Sequence, residues 1–429
     1  MPDEIRDNGV VGAGGAGFPT HVKYQKSVGT FIVNAAECEP LLHKDKELLL
    51  HRTDAFFAGL KTAMRRAKAR QGIIGIKAKY EDVIQAIESR LPESVRIHPL
   101  GDYYPAGDEF ILTYDITGRV IPPGGLPLDV DVVTNNVETL VNIGLRRPVT
   151  RKYLTVTGAV ESPVTVCVPI GAPMRAAIEA AGGATTKSYG LLVGGVMMGQ
   201  LAKSPDDPIL KTSGGLYVLP NDHPLLARYR RDWKAISWIG RSACDQCSFC
   251  TERCPRYLLG HPIEPHKAMR ALQFMPEKER LIVGTLYCCE CNLCSLIACP
   301  EDLDPKNVCV LDKQQVREMG LKWKGNGRGV HALMDARRTP VASLVRKLGL
   351  SKFRNIGPLV EAVPEVGRVV LPLKQHLGAP AVPTVSKGDR VREGDLIGEI
   401  PEKALGARVH ASIDGVVTKV GEAVVIEAR

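Results

Sequence analysis

Apolar and polar positions alternate along this chain in blocks of changing texture. In the first block, short apolar runs at 30–34 and 72–76 are separated by stretches that read as helices near 45–70 and 80–91. Strands alternating with helices predict an α/β layer structure over residues 1–148, with glycine-rich turns at 12–17 and 122–125. From Tyr153 the pattern becomes strand-like: 154–160 and 164–168 read as a hairpin, 172–181 as a short helix, and a glycine-rich stretch runs to about 220. This predicts a small β-rich domain with one helix over 149–235. Residues 236–318 carry most of the cysteines and read as helical at 265–272 and 305–318. Residues 319–365 are basic and broken by Gly and Pro, which predicts a linker with a short helix at 341–348. The last block, 366–429, alternates strand with turn at 385–391, 394–400 and 409–417 and predicts an all-β domain.

Length and charge add little to this division. A chain of 429 residues has room for about three domains. Its net charge of +9 is mild, and no Lys/Arg block is interleaved with aromatics, so no nucleic-acid partner is expected. No apolar run approaches the ~20 residues of a membrane helix, and no secretory signal is visible at the start. A cytoplasmic location follows as the expectation.

The cysteines change the picture more. Nine of the twelve lie between 244 and 299 at metal-ligand spacing, which favours a reducing compartment over a disulfide framework. Cys38, Cys167 and Cys309 stand apart and read as plain thiols. Cys244, Cys247, Cys250 and Cys254, followed by Pro255, match the C-x2-C-x2-C-x3-C-P run of two-cluster ferredoxins, in which the fourth cysteine serves the other cluster. Cys288, Cys291, Cys294 and Cys299, followed by Pro300, form a second run. The expected ligand sets are therefore Cys244, Cys247, Cys250 with Cys299, and Cys288, Cys291, Cys294 with Cys254, each for one [4Fe–4S] cluster. The second run departs twice: four residues separate Cys294 from Cys299, and Cys289 is surplus, so either Cys288 or Cys289 could be the ligand. Structural zinc is the competing reading of C-x2-C pairs.

The start of the chain carries a second kind of chemistry. Gly12, Gly14, Gly15 and Gly17 allow positive φ and close approach of backbone N–H groups to a phosphate or a flat ring, and Lys23 follows. This is not the usual G-x-G-x-x-G fingerprint. Three further motifs follow: Asn34-Ala-Ala-Glu37-Cys38-Glu39-Pro40, Tyr104-Pro-Ala-Gly107-Asp108-Glu109, and Val133-Thr-Asn135-Asn136-Val-Glu-Thr139. In this order the four segments resemble the NADH-binding flavoprotein subunit of respiratory complex I and its counterpart in the ion-translocating ferredoxin:NAD oxidoreductases, over residues 9–145. The resemblance implies bound FMN with NADH stacked on it. It implies that Gly12, Gly14, Gly15, Gly17 and Lys23 line the phosphate and ring edge. Asn34, Asn135, Asn136 and Thr139 would hold the flavin. Glu37, Glu39 and the Gly107-Asp108-Glu109 turn would face the nicotinamide nucleotide. Ala13 and Ala36 depart from the complex I motif, which has an arginine and an aspartate there.

The order of the blocks narrows the resemblance. Residues 153–183 resemble the soluble-ligand-binding β-grasp domain, and 191–199 and 207–213 follow the pattern of the ferredoxin:NAD oxidoreductase counterpart. The terminal β domain resembles a barrel-sandwich, lipoyl-like domain that lies at the N-terminus of that counterpart and here closes the chain. An α/β flavin domain, a β-grasp domain, a helical two-cluster ferredoxin-type domain and a C-terminal barrel-sandwich domain, in that order, resemble the cobalamin reductases of propanediol-utilisation microcompartments. So do the Cys288-Cys289-Glu-Cys291 segment and the 260–266 stretch. That resemblance implies an NADH-dependent flavin and iron–sulfur reductase with cobalamin as substrate, taken from Co(III) to Co(I). It also implies association with a bacterial microcompartment, its shell proteins and a cob(I)alamin adenosyltransferase. Two other readings fit the same motifs: the electron-input subunit of an NADH:ferredoxin-type complex, and a non-enzymatic electron-relay protein of a microcompartment. His261 and His266 read as polar loop residues, and Lys403, at the spacing of a lipoyl lysine, as an unmodified turn residue.

Overall fold

The computed structural model describes residues 3–272, 278–361 and 364–428; parts of the expected first, third and last domains and of the expected linker lie outside them. The N-terminal block forms a four-stranded parallel sheet in the order Val95–Leu100, Gln71–Lys77, Thr30–Ala35, Val132–Asn136. Phe31, Ile32 and Val33 are fully buried, as a central parallel strand covered on both faces requires. The chain builds outward from Thr30–Ala35 to Val95–Leu100 and then returns on the opposite side as Val132–Asn136. This reversal creates a switch point between the carboxyl ends of those two neighbouring strands, the place where open α/β sheets bind ligands.

The helical stretch expected near 45–70 is two helices, Lys44–His51 and Thr53–Arg66. The break falls at Arg52, whose φ of −128° leaves the helical region. Its guanidinium reaches Tyr153 of the next domain at 3.2 Å and Glu361 at 2.7 Å, so long-range contacts set the break. Helix Thr53–Arg66 packs on Val137–Gly144 through glycines: a Cβ at Gly59 would lie 1.8 Å from the Leu140 carbonyl oxygen, and one at Gly144 1.8 Å from that of Ala55. That backbone-to-backbone contact fixes the helix that leaves the switch point.

The β-grasp block forms a six-stranded sheet around the expected hairpin, with Arg151–Gly158 paired to Val164–Pro169. One edge strand, Leu359–Val360, comes from the segment expected to be a linker. That segment is a strap rather than a free connection. Thr339–Pro340 pairs with Tyr103–Tyr104 of the flavin domain, His331 N donates to Leu258 O at 2.8 Å, and helix Val341–Lys347 buries Leu344 completely. Five of its scattered apolar residues, Met334, Val341, Leu344, Leu348 and Leu350, are buried, and burying them requires the domains on either side.

The cysteine block contains the expected helices at Pro265–Ala271 and Pro305–Glu318. The longer gap of the second run is absorbed at Cys294–Ala298, a π-helical turn, which accommodates one residue more than an α-turn. The last block is two small sheets, one of Arg368–Pro372, Ala423–Glu427, Gly415–Val420 and Arg390–Val391, the other of Val382–Pro383, Leu396–Glu399 and Val409–His410. The strand expected at 385–391 shrinks to its last two residues because Asp389 accepts the Ser386 N–H at 2.8 Å and closes a turn. This domain folds back on the start of the chain: Leu377 N donates to Gly17 O at 3.0 Å. Among the described residues no helix is long and apolar enough to cross a membrane.

Candidate cofactor sites

The four N-terminal motifs converge on the switch point. Asn34 and Asn136 are register partners across the two strands that flank it. The glycine loop closes through Gly12 N to Phe18 O at 2.9 Å and Gly17 N to Gly12 O at 3.1 Å. A Cβ on Gly14 would come within 3.2 Å of the Asn136 side chain, whereas one on Gly15, at φ +115°, would meet nothing within 4 Å. The loop therefore leans on the strand end and leaves its tip open. Lys23 donates to Thr134 O at 2.9 Å and pairs with Glu109 at 3.5 Å. Asn34 Nδ2 donates to Gly107 O at 2.8 Å, which ties the third motif to the second.

Several expected flavin contacts already have protein partners. Thr139 Oγ1 accepts the Ala13 N–H at 2.9 Å. Asn136 caps helix Val137–Gly144 by accepting from Glu138 N at 3.0 Å, and its Nδ2 donates to Asp45 at 2.7 Å. Thr134 Oγ1 and Asn135 Oδ1 are different: both are buried and lack a hydrogen-bond partner among the described residues. Asn135 lies close enough to Tyr24 to influence its hydroxyl, but not in hydrogen-bond geometry. Buried polar atoms seldom stay unpaired, so the strand end that holds them, beside an open glycine loop, fits a polar ligand such as FMN. Ala13 and Ala36 are buried at 1% and 0% exposure.

Glu37 and Glu39, expected to face the nicotinamide nucleotide, point elsewhere. The Glu37 carboxylate accepts the Asp45 N–H at 3.0 Å at the start of helix Lys44–His51, and burial, with Asp45 second, pushes it up to about 8. The Glu39 carboxylate accepts from Met197 N at 3.0 Å and Met198 N at 2.9 Å, which docks the β-grasp domain. Asp108 caps helix Glu109–Thr117 and pairs with Arg256 at 2.8 Å.

Burial raises Glu39 from 4.5 to about 7. A carboxyl raised in the fold contributes stability that is fully present below 4.5 and lost as pH rises through about 7. Glu39→Gln should therefore flatten the fall in melting temperature across that window. Identical slopes in variant and parent would contradict this account of Glu39.

The two cysteine runs share one backbone. Gln246 and Ser248 in the first run, at φ +57° and +67°, correspond to Glu290 and Asn292 in the second, at +61° and +65°. Left-handed residues between the cysteines are uncommon for non-glycine side chains, and here they recur at the same two positions of each loop. This repeat aligns Cys244, Cys247 and Cys250 with Cys288, Cys291 and Cys294, and sets Cys289 opposite Asp245.

Cys244, Cys247, Cys250 and Cys299 line one cavity, and Cys247 is exposed. Burial and the neighbouring Cys244, Cys247 and Cys299 push Cys250 up to about 12. Burial, Cys289 and Cys288 raise Cys254, and burial with Cys288 and Cys254 raises Cys294. Crowded buried thiols resist ionisation until a metal supplies positive charge, so the donor sets fit a thiolate-ligated cluster. Among the described residues no three His, Cys, Asp or Glu side chains converge on a point for a single ion, and a cube-shaped cluster holds its thiolates further apart than zinc does. N–H groups already reach three of the sulfurs: Gln246 Nε2 to Cys244 at 3.1 Å, Glu290 N to Cys288 at 3.4 Å and Leu303 N to Cys299 at 3.4 Å.

Sequence reasoning missed the residues that join these sites. The buried Tyr104 hydroxyl donates to Cys291 O at 2.9 Å, and Asn292 Nδ2 donates to Met197 O at 3.2 Å, in the same turn that Glu39 holds. Cys309, read as a plain thiol, faces Cys288 and holds it below the usual thiol range. One turn along the same helix, Lys313 donates to Cys288 O at 2.9 Å. His261 is buried and bonds to Ile121 O at 2.9 Å.

Comparison with known proteins finds four domain families along the chain. The Nuo51 FMN-binding domain matches residues 5–145, the SLBB domain 153–201, the 4Fe-4S dicluster domain 243–304 and the RnfC barrel sandwich hybrid domain 352–429. The chain is 44% identical to cobalamin reductase PduS of Salmonella typhimurium, over 100% of this chain and 97% of that one. It is 43% identical to cobalamin reductase PduS of Citrobacter freundii, over 98% and 94%. One component of the Na(+)-translocating ferredoxin:NAD(+) oxidoreductase complex of Acetobacterium woodii is 34% identical over 59% of this chain and 57% of that component. With an FMN-binding domain, an SLBB domain, a 4Fe-4S dicluster domain and a barrel-sandwich domain in one order along nearly its whole length, the chain belongs to the PduS cobalamin reductase family.

Proposed function

We propose that this protein is an NADH-dependent reductase that passes electrons through FMN and two [4Fe–4S] clusters to cobalamin. The observation that carries the reading is its full-length identity of 44% to a protein named cobalamin reductase. FMN would be held at the switch point by the Gly12–Gly17 loop, Lys23, Asn34, Thr134 and Asn135, with Asn136 and Thr139 bracing the loop and helix around it. When bound, FMN supplies the exchange between a two-electron hydride and single electrons; the chain's work is placement and charge. NADH would approach over the open loop tip near Gly15 and the Gly107–Glu109 turn, and Glu37 and Glu39 serve as frame rather than contact.

Cys288, not Cys289, takes the ligand role beside Cys254, Cys291 and Cys294, which the repeated backbone of the two runs supports. That group is the flavin-proximal one, because Tyr104 and Asp108 of the flavin domain reach it directly or through Arg256. Cys244, Cys247, Cys250 and Cys299 form the exit site, where Cys247 opens to solvent. A corrinoid would collect electrons there. A cob(I)alamin adenosyltransferase and microcompartment shell proteins are the partners proposed, in the cytoplasm.

In the reconstituted full chain, NADH should bleach FMN and cob(III)alamin should then be reduced, with no turnover in FMN-free protein. NADH oxidation without any change in cobalamin would overturn the acceptor. Failure of NADH to bleach FMN would favour a relay role.

A further inference from the structure

The flavin domain and the cysteine domain meet at one buried guanidinium. Arg256 follows Cys254 and Pro255 at the start of helix Pro255–Leu258. Its Nη2 donates to Asp108 Oδ2 at 2.8 Å, with side-chain exposures of 10% and 12%. The guanidinium lies over Phe110, 3.5 Å from the ring centroid, in cation–π geometry. On its other side stands Cys289, and Arg256 Nε is buried without a hydrogen-bond partner among the described residues.

The two halves of the cysteine domain differ in charge at matching positions. Cys254-Pro255 is followed by Arg256, whereas Cys299-Pro300 is followed by Glu301, which lines the other thiol cavity. Between their first two aligned cysteines the runs carry one acid each, Asp245 in the first and Glu290 in the second, and Glu290 is paired with Lys313 at 3.0 Å. One thiol group thus has a buried cation where the other has the acid Glu301.

We propose that Arg256 is a positioning residue that separates the potentials of the two clusters, making the flavin-proximal one the easier to reduce. This rests on the reading that Cys254, Cys288, Cys291 and Cys294 hold a cluster. Reduction adds one electron to an already anionic cluster; no bond forms or breaks and no proton is needed. A fixed positive charge favours the reduced form, and its effect is strong where water is excluded. Arginine suits the task because it stays charged at any working pH. Cluster potentials follow local net charge and hydrogen bonding to the sulfurs. Asp108 and Phe110 hold the guanidinium in place beside Cys289.

The test is a redox titration of the reconstituted full chain followed by electron paramagnetic resonance, with iron counted per chain. Arg256→Met should lower one midpoint by about 59 mV, a tenfold change in the reduced-to-oxidised ratio at fixed potential, and leave the other in place. Arg256→Lys should recover most of that shift. Asp108→Asn, which keeps a capping side chain, should move the same midpoint upward, since the guanidinium loses its counter-charge. A purely structural role would not give opposite shifts. If Arg256→Met fails to load its iron, the Lys and Asn variants carry the test alone. Unmoved midpoints in fully loaded variants, or Met and Asn shifts of the same sign, would overturn the proposal. Parent protein that takes up only one cluster would instead overturn the ligand reading on which it stands.

Discussion

Cys294→Ala is expected to cut cobalamin reduction by roughly a hundredfold or more while NADH still bleaches FMN, because it removes a ligand between the flavin site and the exit. The variant should retain roughly half the iron of the parent, and the remaining cluster should stay oxidised under NADH. Cys247→Ala is the informative companion. Its thiol belongs to the exposed group, so cobalamin reduction should fall as far, yet the surviving cluster should now be reduced by NADH. The two variants lose the same overall activity and differ in which step survives. If NADH reduces the surviving cluster in Cys294→Ala and not in Cys247→Ala, the proposed order is reversed.

The second large effect concerns stability rather than chemistry. Glu138 is wholly buried beside the glycine loop and is bonded by Lys44 Nζ at 2.8 Å, by Lys152 Nζ and by Tyr153 N at 3.1 Å. Lys152 also donates to Ala13 O at 3.3 Å, so the same charge group holds the loop expected to meet FMN. Removing this acid leaves Lys152 short of its main counter-charge and Lys44 with Asp45, at 3.1 Å, as its remaining ion-pair partner. Breaking a buried pair in this way costs about 3–5 kcal/mol. Glu138→Ala should therefore unfold at markedly lower urea concentration and release FMN readily. Burial makes Lys152 the easier of the two to neutralise, lowering it to about 8, so part of the loss should be recovered at alkaline pH. A variant as stable as the parent at neutral pH would show that Glu138 is dispensable.

How far the sequence could be read varies with the range of the forces involved. The α/β layering was legible because buried strands need continuous apolar runs, and 30–34 and 72–76 are such runs. The glycine loop was legible as a tight turn because few residue types tolerate positive φ, whereas the Asn135-Asn136 motif entered only through the family resemblance. The Glu37 and Glu39 carboxylates meet backbone N–H groups that spacing does not announce. A carboxylate beside a glycine-rich loop reads as a ligand contact, but whether it faces outward depends on which helix start or neighbouring turn comes within hydrogen-bond reach, here Asp45 N and the Met197–Met198 backbone. The 319–365 segment read as a linker because its apolar residues have no period of their own; they are spaced to fill gaps between other domains.

Taken alone, the sequence determined the kinds of element and the domain order, and it singled out two runs of spaced cysteines, because periodicity and spacing are local properties of the chain. It left open whether Cys288 or Cys289 is the ligand, since spacing does not record backbone handedness; the left-handed residues recurring at 246, 248, 290 and 292 align Cys288 with Cys244. Only the tertiary structure decided which thiol group lies against the flavin domain and which opens to solvent. It alone brought Asp108 to Arg256, 148 positions apart, and the last domain onto Gly17. The reason is physical: charge pairing and burial act through space, and two groups far apart along the chain carry no mark of each other until folding brings them within a few ångströms.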